Sequence, residues 1–150
     1  MLSQLAMVAA LIGVADDPTK ELDKLQGTWV LVGGEEKGRV LTEEEAKTER
    51  ESIIIKGDTI TVIRGEHKGT GKFRLDPSKK PAWMDLIDPE KKNQVNHAIY
   101  RLDGDRLTIC VSKKFEPNKP EERPVKFTTK REDNKDLPYL IMGIYQRQKK

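Results

Sequence analysis

Leu25-Gln26-Gly27-Thr28-Trp29-Val30-Leu31-Val32 is the stretch on which the fold turns. A glycine two residues before a tryptophan, opening an apolar strand, reads as the start of a small β-barrel. The glycine lets the chain pass closely beneath the barrel, and the indole plugs its end. If so, the later strands must curl round and return to this one.

The chain that follows has the rhythm of an antiparallel meander. The first strand is expected over 27–33 and to stop at Gly33-Gly34, before Gly38. Thr42 and Glu45 stand in capping-box spacing, and Glu43 and Lys47 in i,i+4 spacing, which predicts a short polar helix suited to a barrel mouth. Short β-type runs follow over 52–56, 59–64, 70–75 and 82–87, the last two closed by Asp76-Pro77 and Asp88-Pro89. Asp103-Gly104 is the strongest hairpin signal, between strands expected over 96–102 and 106–112. On the second of these Leu107, Ile109 and Val111 share one face; Thr108 and Cys110 share the other, with Ala98 and Tyr100 expected beside them. A proline-rich loop over 115–124 precedes a short strand over 125–129 and a final strand over 139–147. Ile53, Ile55, Ile60, Val62, Phe73, Leu107, Ile109 and Ile144 are the expected inward-facing residues. Eight or nine strands with short connections favour antiparallel neighbours. Closure into an up-and-down barrel removes exposed edges, with an open β-sandwich as the competing arrangement.

Composition suits a thin-walled structure. Among 150 residues, 35% are charged and 35% hydrophobic, so apolar side chains must be concentrated on one face of each strand. The net charge is +3, from 28 basic and 25 acidic residues. The basic pairs are scattered among acids, which describes a solvated surface and no nucleic-acid partner. Residues 1–15 differ from the rest: the uncharged run from Leu5 to Ala15, ending in Gly13-Val14-Ala15 before Asp16-Asp17, reads as a secretory signal cleaved after Ala15. Its n-region lacks Lys and Arg, so a buried N-terminal helix stays open as the alternative. At about 1.5 Å per residue the run is too short to span a hydrocarbon core of about 30 Å, so no transmembrane segment is expected. Residues 16–150 then form one domain.

Chemical motifs are sparse. Cys110 is the sole cysteine, so no intramolecular disulfide can form, and its strand setting suits a small hydrophobe. Nucleophile-elbow, P-loop and dinucleotide signatures are missing, and His67 and His97 lack metal-ligand spacing; we expect no enzyme, cofactor or metal. Asp58, Asp76, Asp88, Asp103 and Asp105 have the positions of turn formers. Asp85 is the one carboxylate that strand alternation can point inward, beside Trp83; an outer-face position is the commoner outcome. Arg123-Pro124 offers a fixed anion fork, against a local ion pair of Arg123 with Glu121 or Glu122. Trp83, Asp85 and Arg123 are the candidate ligand-binding residues.

Together, 25–29, 55–58, 72–81, 99–110 and 122–127 give the chain a family likeness. It resembles an uncharacterised lipocalin-like domain family expanded in planctomycete bacteria, over about residues 22–147. The wider similarity is to lipocalins, whose Gly-x-Trp opening matches Gly27, Thr28 and Trp29. The resemblance implies an all-β, antiparallel, up-and-down lipocalin-like barrel of about 8–9 strands, with one short helix after the first strand. It also implies an arginine of the last strand, here Arg147, packed over Trp29, so that Gly27, Trp29 and Arg147 are structural closure residues. An exported monomer of the periplasm, envelope or medium is expected, binding a small apolar or amphipathic ligand in the barrel. The alternative is a non-enzymatic module recognising an envelope protein through loops 34–50 and 113–124.

Overall fold

A computed structural model describes residues 17–88, 90–91, 94–113 and 119–149. The expected export segment 1–15 and part of the 113–124 loop lie outside them. Helix α1 (Pro18–Leu25) is started by Asp17, whose side chain accepts from the Thr19 N–H at 3.0 Å, with proline in the first turn where its missing N–H costs nothing. Strands β1 (Gly27–Glu36) and β2 (Arg39–Leu41) lead to α2 (Glu43–Glu49). The capping box forms: Thr42 Oγ1 accepts from the Glu45 N–H at 3.1 Å, and Glu45 Oε1 accepts from the Thr42 N–H at 3.4 Å. Then come β3 (Glu51–Lys56), β4 (Thr59–Arg64), β5 (His67–Asp76), β6 (Ala82–Ile87), β7 (Val95–Asp103), β8 (Arg106–Ser112) and β9 (Leu140–Arg147).

Every pairing is antiparallel, and β9 returns to β1, with Trp29 opposite Arg147 and Glu36 opposite Ile141. β1 and β3 to β9 therefore close an eight-strand up-and-down barrel, while β2 is an extra strand on the far half of β1. The expected closure holds; the sandwich does not. Because each hairpin reverses the chain, Gly27, Lys56, Asp76, Ala82, Asp103 and Arg147 gather at one end, and Glu51, Arg64, Ile87, Val95, Ser112 and Leu140 at the other.

Register decides what faces inward. Ile53, Ile55, Ile60, Phe73, Met84, Ala98, Tyr100, Leu107, Ile109 and Tyr145 join Leu25, Trp29 and Leu31 in one buried core. Ile144 corrects the inward list: it pairs with Thr108 on the outer face, and Tyr145, opposite Leu107, takes the inward place. Ala98 and Tyr100 likewise sit opposite Val111 and Ile109, away from the Thr108 and Cys110 face. The reason is the tight turn, which occupies Gly104 and Asp105, pairs Asp103 with Arg106 and so fixes the parity of the hairpin.

Two other expectations change. β1 does not stop at Gly33-Gly34; a bulge between Leu31 and Gly33 shifts its register and the strand runs on to Glu36. A Cβ on Gly34 would lie 2.3 Å from the Met142 carbonyl oxygen, so this glycine permits close approach to β9 rather than ending the strand. Residues 125–129 are not a strand. Asn134, fully buried, takes their backbone: its Oδ1 accepts from the N–H groups of Val125 (2.6 Å) and Lys126 (3.1 Å), and its Nδ2 donates to the carbonyls of Lys126 (2.8 Å) and Thr128 (2.7 Å). Groups so engaged cannot join a β-ladder. The segment instead covers the outer face of β7, β8 and β9, where Phe127 packs on the small cluster of Ile99, Cys110 and Met142.

Candidate functional site

Three places concentrate polar groups against apolar ones: the closed end, an outer-face knot and the open end.

At the closed end Trp29 is fully buried, and its Nε1 donates to the Leu25 carbonyl at 2.9 Å. The Arg147 guanidinium lies 4.2 Å from the indole centroid. Its Nη1 donates to the Gln26 carbonyl, its Nη2 to the Lys24 carbonyl at 2.6 Å, and its Nε to Asp105 at 2.9 Å. One cation thus caps the end of α1 and stacks on the plug. Gly27 has φ +125°, and a Cβ there would sit 3.4 Å from Arg147 Nη1. Gln26 and Gly57 exchange two hydrogen bonds, and Tyr100 donates to Glu21, so α1 is tied across this end.

The outer-face knot brings together Trp83, Asp85 and Arg123, the candidate ligand-binding residues. They converge outside the barrel, because Met84 between them is the inward residue of β6. Arg123 is 6% exposed. Its Nη1 donates to the carbonyls of Ala98 (2.8 Å) and Met84 (3.3 Å), its Nη2 to Asp85 Oδ1 (2.6 Å), and its guanidinium lies 4.2 Å from the Trp83 ring. His97 Nδ1 lies 2.9 Å from the same carboxylate oxygen, and Lys79 lies 4.8 Å from the Trp83 ring. Burial alone would raise the Asp85 carboxyl; the hydrogen bonds from His97 and Arg123, with the guanidinium charge, outweigh it and hold the group below the usual range. These side chains are satisfied by one another and pin residues 119–139 to the barrel wall. They do not line its interior. Arg123-Pro124 is thus an anchor whose fork is filled by Asp85, an ion pair across some forty residues of chain.

A second anchor was not legible in the sequence. Glu35 Oε1 accepts from the Thr129 N–H (2.6 Å) and the hydroxyls of Thr129 (2.8 Å) and Thr128 (2.9 Å). Beneath it burial pushes the Cys110 thiol up to about 12, which leaves it neutral and inert.

The open end holds a cavity of about 550 Å³, walled by Ile53, Ile60, Val62, Leu86, Ile109 and Val111. Gly69 and Gly71, opposite Val62 and Ile60, add no side chain, and a Cβ on Gly69 would meet nothing within 4 Å. The Gly69-Thr70-Gly71 run is the sequence trace of this space; β5 begins at His67, so Gly69 lies inside the strand rather than before the 70–75 run expected from the sequence. A buried polar corner stands in the wall: Glu51, 7% exposed, accepts the Tyr145 hydroxyl at 2.6 Å on Oε1 and the Arg64 Nε at 3.0 Å on Oε2, with Arg64 Nη2 bonded to the same oxygen. The Tyr145 ring lies over Gly143. Burial first, then the Glu51 charge, raises the Tyr145 phenol well above its ordinary value, so it stays a donor.

Among the described residues no three of His, Cys, Asp and Glu could hold a metal ion, and no helix is long and apolar enough to cross a membrane. Fold and site define a closed antiparallel barrel with one end plugged by Trp29 and α1 and a cavity of about 550 Å³ at the other. Comparison with family models, curated proteins and solved structures finds no match.

Proposed function

We propose that this chain is a non-enzymatic, lipocalin-like carrier, of the exported family that its sequence resembles, holding a small apolar or amphipathic molecule in the barrel. The observation that carries the reading is the cavity itself: about 550 Å³ of space at the end opposite the plug, with aliphatic side chains of β3, β4, β6 and β8 in its wall. Its volume falls within the range of ordinary ligand pockets, and polar groups set among apolar ones are what such pockets use to orient a guest. A barrel of this strand number can be filled by side chains. Here Gly69 leaves the wall of β5 bare where a filling side chain would stand, while a Cβ on Gly71 would lie 3.0 Å from the Ile87 carbonyl oxygen.

Native mass spectrometry of the protein isolated from its own source tests the reading, alongside saturable binding of an apolar fluorescent dye. A co-purifying small molecule, or dye binding that Gly69→Leu weakens by at least about tenfold, is expected, because leucine there enters open space in the cavity. A ligand-free mass together with no saturable dye binding overturns it.

A further inference from the structure

We propose that the cavity selects an amphipathic molecule with an uncharged head, a hydroxyl or carbonyl on an apolar tail, and rejects the carboxylate of the same tail. The proposal rests on the carrier reading and concerns the polar corner formed by Glu51, Arg64 and Tyr145.

An arginine and a tyrosine in an apolar barrel would ordinarily suggest an anionic guest. Glu51 changes the sign of that argument. It is a buried carboxylate, already bonded through both oxygens, and it uses the Nε and Nη2 edge of Arg64. Glu49 Oε2 stands a further 3.8 Å from Arg64 Nε. Two carboxylates thus face one guanidinium, and the corner has no positive charge left over. The other charged residues of the lining are Asp88, Glu90, Lys72 and Lys113, and the Lys72 ammonium lies 3.4 Å from Asp58 Oδ1, so the lining carries no excess of positive charge.

A carboxylate guest has two ways to reach Arg64, and both are unfavourable. Displacing Glu51 strands a buried charge, and binding beside it sets like charges together away from bulk water. A neutral head avoids both. Arg64 Nη1 has no partner among the described residues, on a side chain 58% exposed, and supplies donors. Tyr145 spends its proton on Glu51, and its oxygen remains an acceptor. A hydroxyl uses both; a carbonyl uses the first. An ammonium head carries donors only and cannot use Arg64, so its charge is desolvated against the Tyr145 oxygen alone.

Displacement of a bound apolar dye by dodecanol, laurate and dodecylammonium at neutral pH, each below its micelle concentration, tests the proposal. Dodecanol is expected to bind about tenfold or more tightly than laurate, and more tightly than dodecylammonium. Glu51→Gln frees the Arg64 charge and should shrink the dodecanol-to-laurate ratio by at least about fivefold. If that variant does not fold, Glu49→Gln, at an exposed site, must shrink the ratio in the same direction by a smaller factor. Laurate or dodecylammonium binding as well as dodecanol overturns the proposal, as does an unchanged ratio in the folded variant. Failure of dye and all three amphiphiles to bind sinks the carrier reading and this inference with it.

Discussion

Arg147 and Arg123 perform similar physical tasks, each a cation stacked on an indole with its remaining N–H groups satisfied by carbonyls and one carboxylate. Arg147→Ala leaves the plug without its cap, and we expect a loss of about 2 kcal/mol in urea unfolding, from the cation–π contact and orphaned carbonyls. Trp29→Ala should cost more, about 3 to 5 kcal/mol, because it empties the base of the core. At the other anchor Asp85→Asn strands a nearly buried guanidinium, and a loss of about 2 to 3 kcal/mol is expected. Asp85 also sets a pH dependence. Its carboxyl is depressed in the folded state, as is that of Glu35, where the Thr129 and Thr128 hydrogen bonds overcome the rise from burial. A depressed carboxyl contributes stability above its unfolded value, near pH 4, and loses it as pH falls through the folded value. Unfolding midpoints measured between pH 7 and 3 should therefore fall on acidification, and Asp85→Asn should flatten that slope. A slope unchanged by the substitution would show that the ion pair is not what acid breaks.

Among the elements, the hairpins were written locally and the cover was not. Strands over 82–87 and 106–112 and the Thr42 capping box stand where alternation and capping chemistry put them, because each depends on neighbours a few residues apart. Residues 119–139 look like loop and weak strand in one dimension. Their structure comes from three distant contacts: Arg123 to Asp85, Glu35 to Thr128 and Thr129, and Phe127 to the Ile99, Cys110 and Met142 cluster. Asn134 holds the cover's own backbone. We expect Cys110 in the native protein to react with a thiol reagent such as DTNB no faster than global unfolding allows at pH 8, since the thiol is both covered and neutral. Asn134→Ala should accelerate that reaction by at least about tenfold by opening the cover, while the near-ultraviolet signal of the plugged barrel persists. Equal labelling rates in the two proteins would mean that Asn134 does not hold the cover closed.

For the molecule as a whole, the plug and the cavity sit at opposite ends of the barrel. Substitutions at the plug should change unfolding and leave dye affinity within about twofold, whereas Gly69→Leu should weaken dye binding by at least about tenfold with a melting shift of no more than a few degrees. Coupled loss of both functions in either variant would contradict that separation. The family resemblance implied Arg147 over Trp29, but closure itself was legible in the chain: Gly27-Thr28-Trp29 at the start, alternating runs after it, and the spacing of turns that makes them antiparallel neighbours. These follow from short-range sterics and from hydrophobic period, which one dimension records. The inward face of each strand was legible wherever alternation was unbroken, and it failed at Ile144 and at Ala98 and Tyr100, where pairing across strands sets the parity. The role of Trp83, Asp85 and Arg123 was decided only when the chain folded back: their residue types suit a ligand site equally well, and it is a register with Met84 inward that turns them outward into an anchor. The cavity and its Glu51, Arg64 and Tyr145 corner belong to the same class. Burial, and the distance between groups remote in sequence, are properties of the closed surface, so whether a carboxylate meets solvent, a guanidinium or a guest is settled only by tertiary structure.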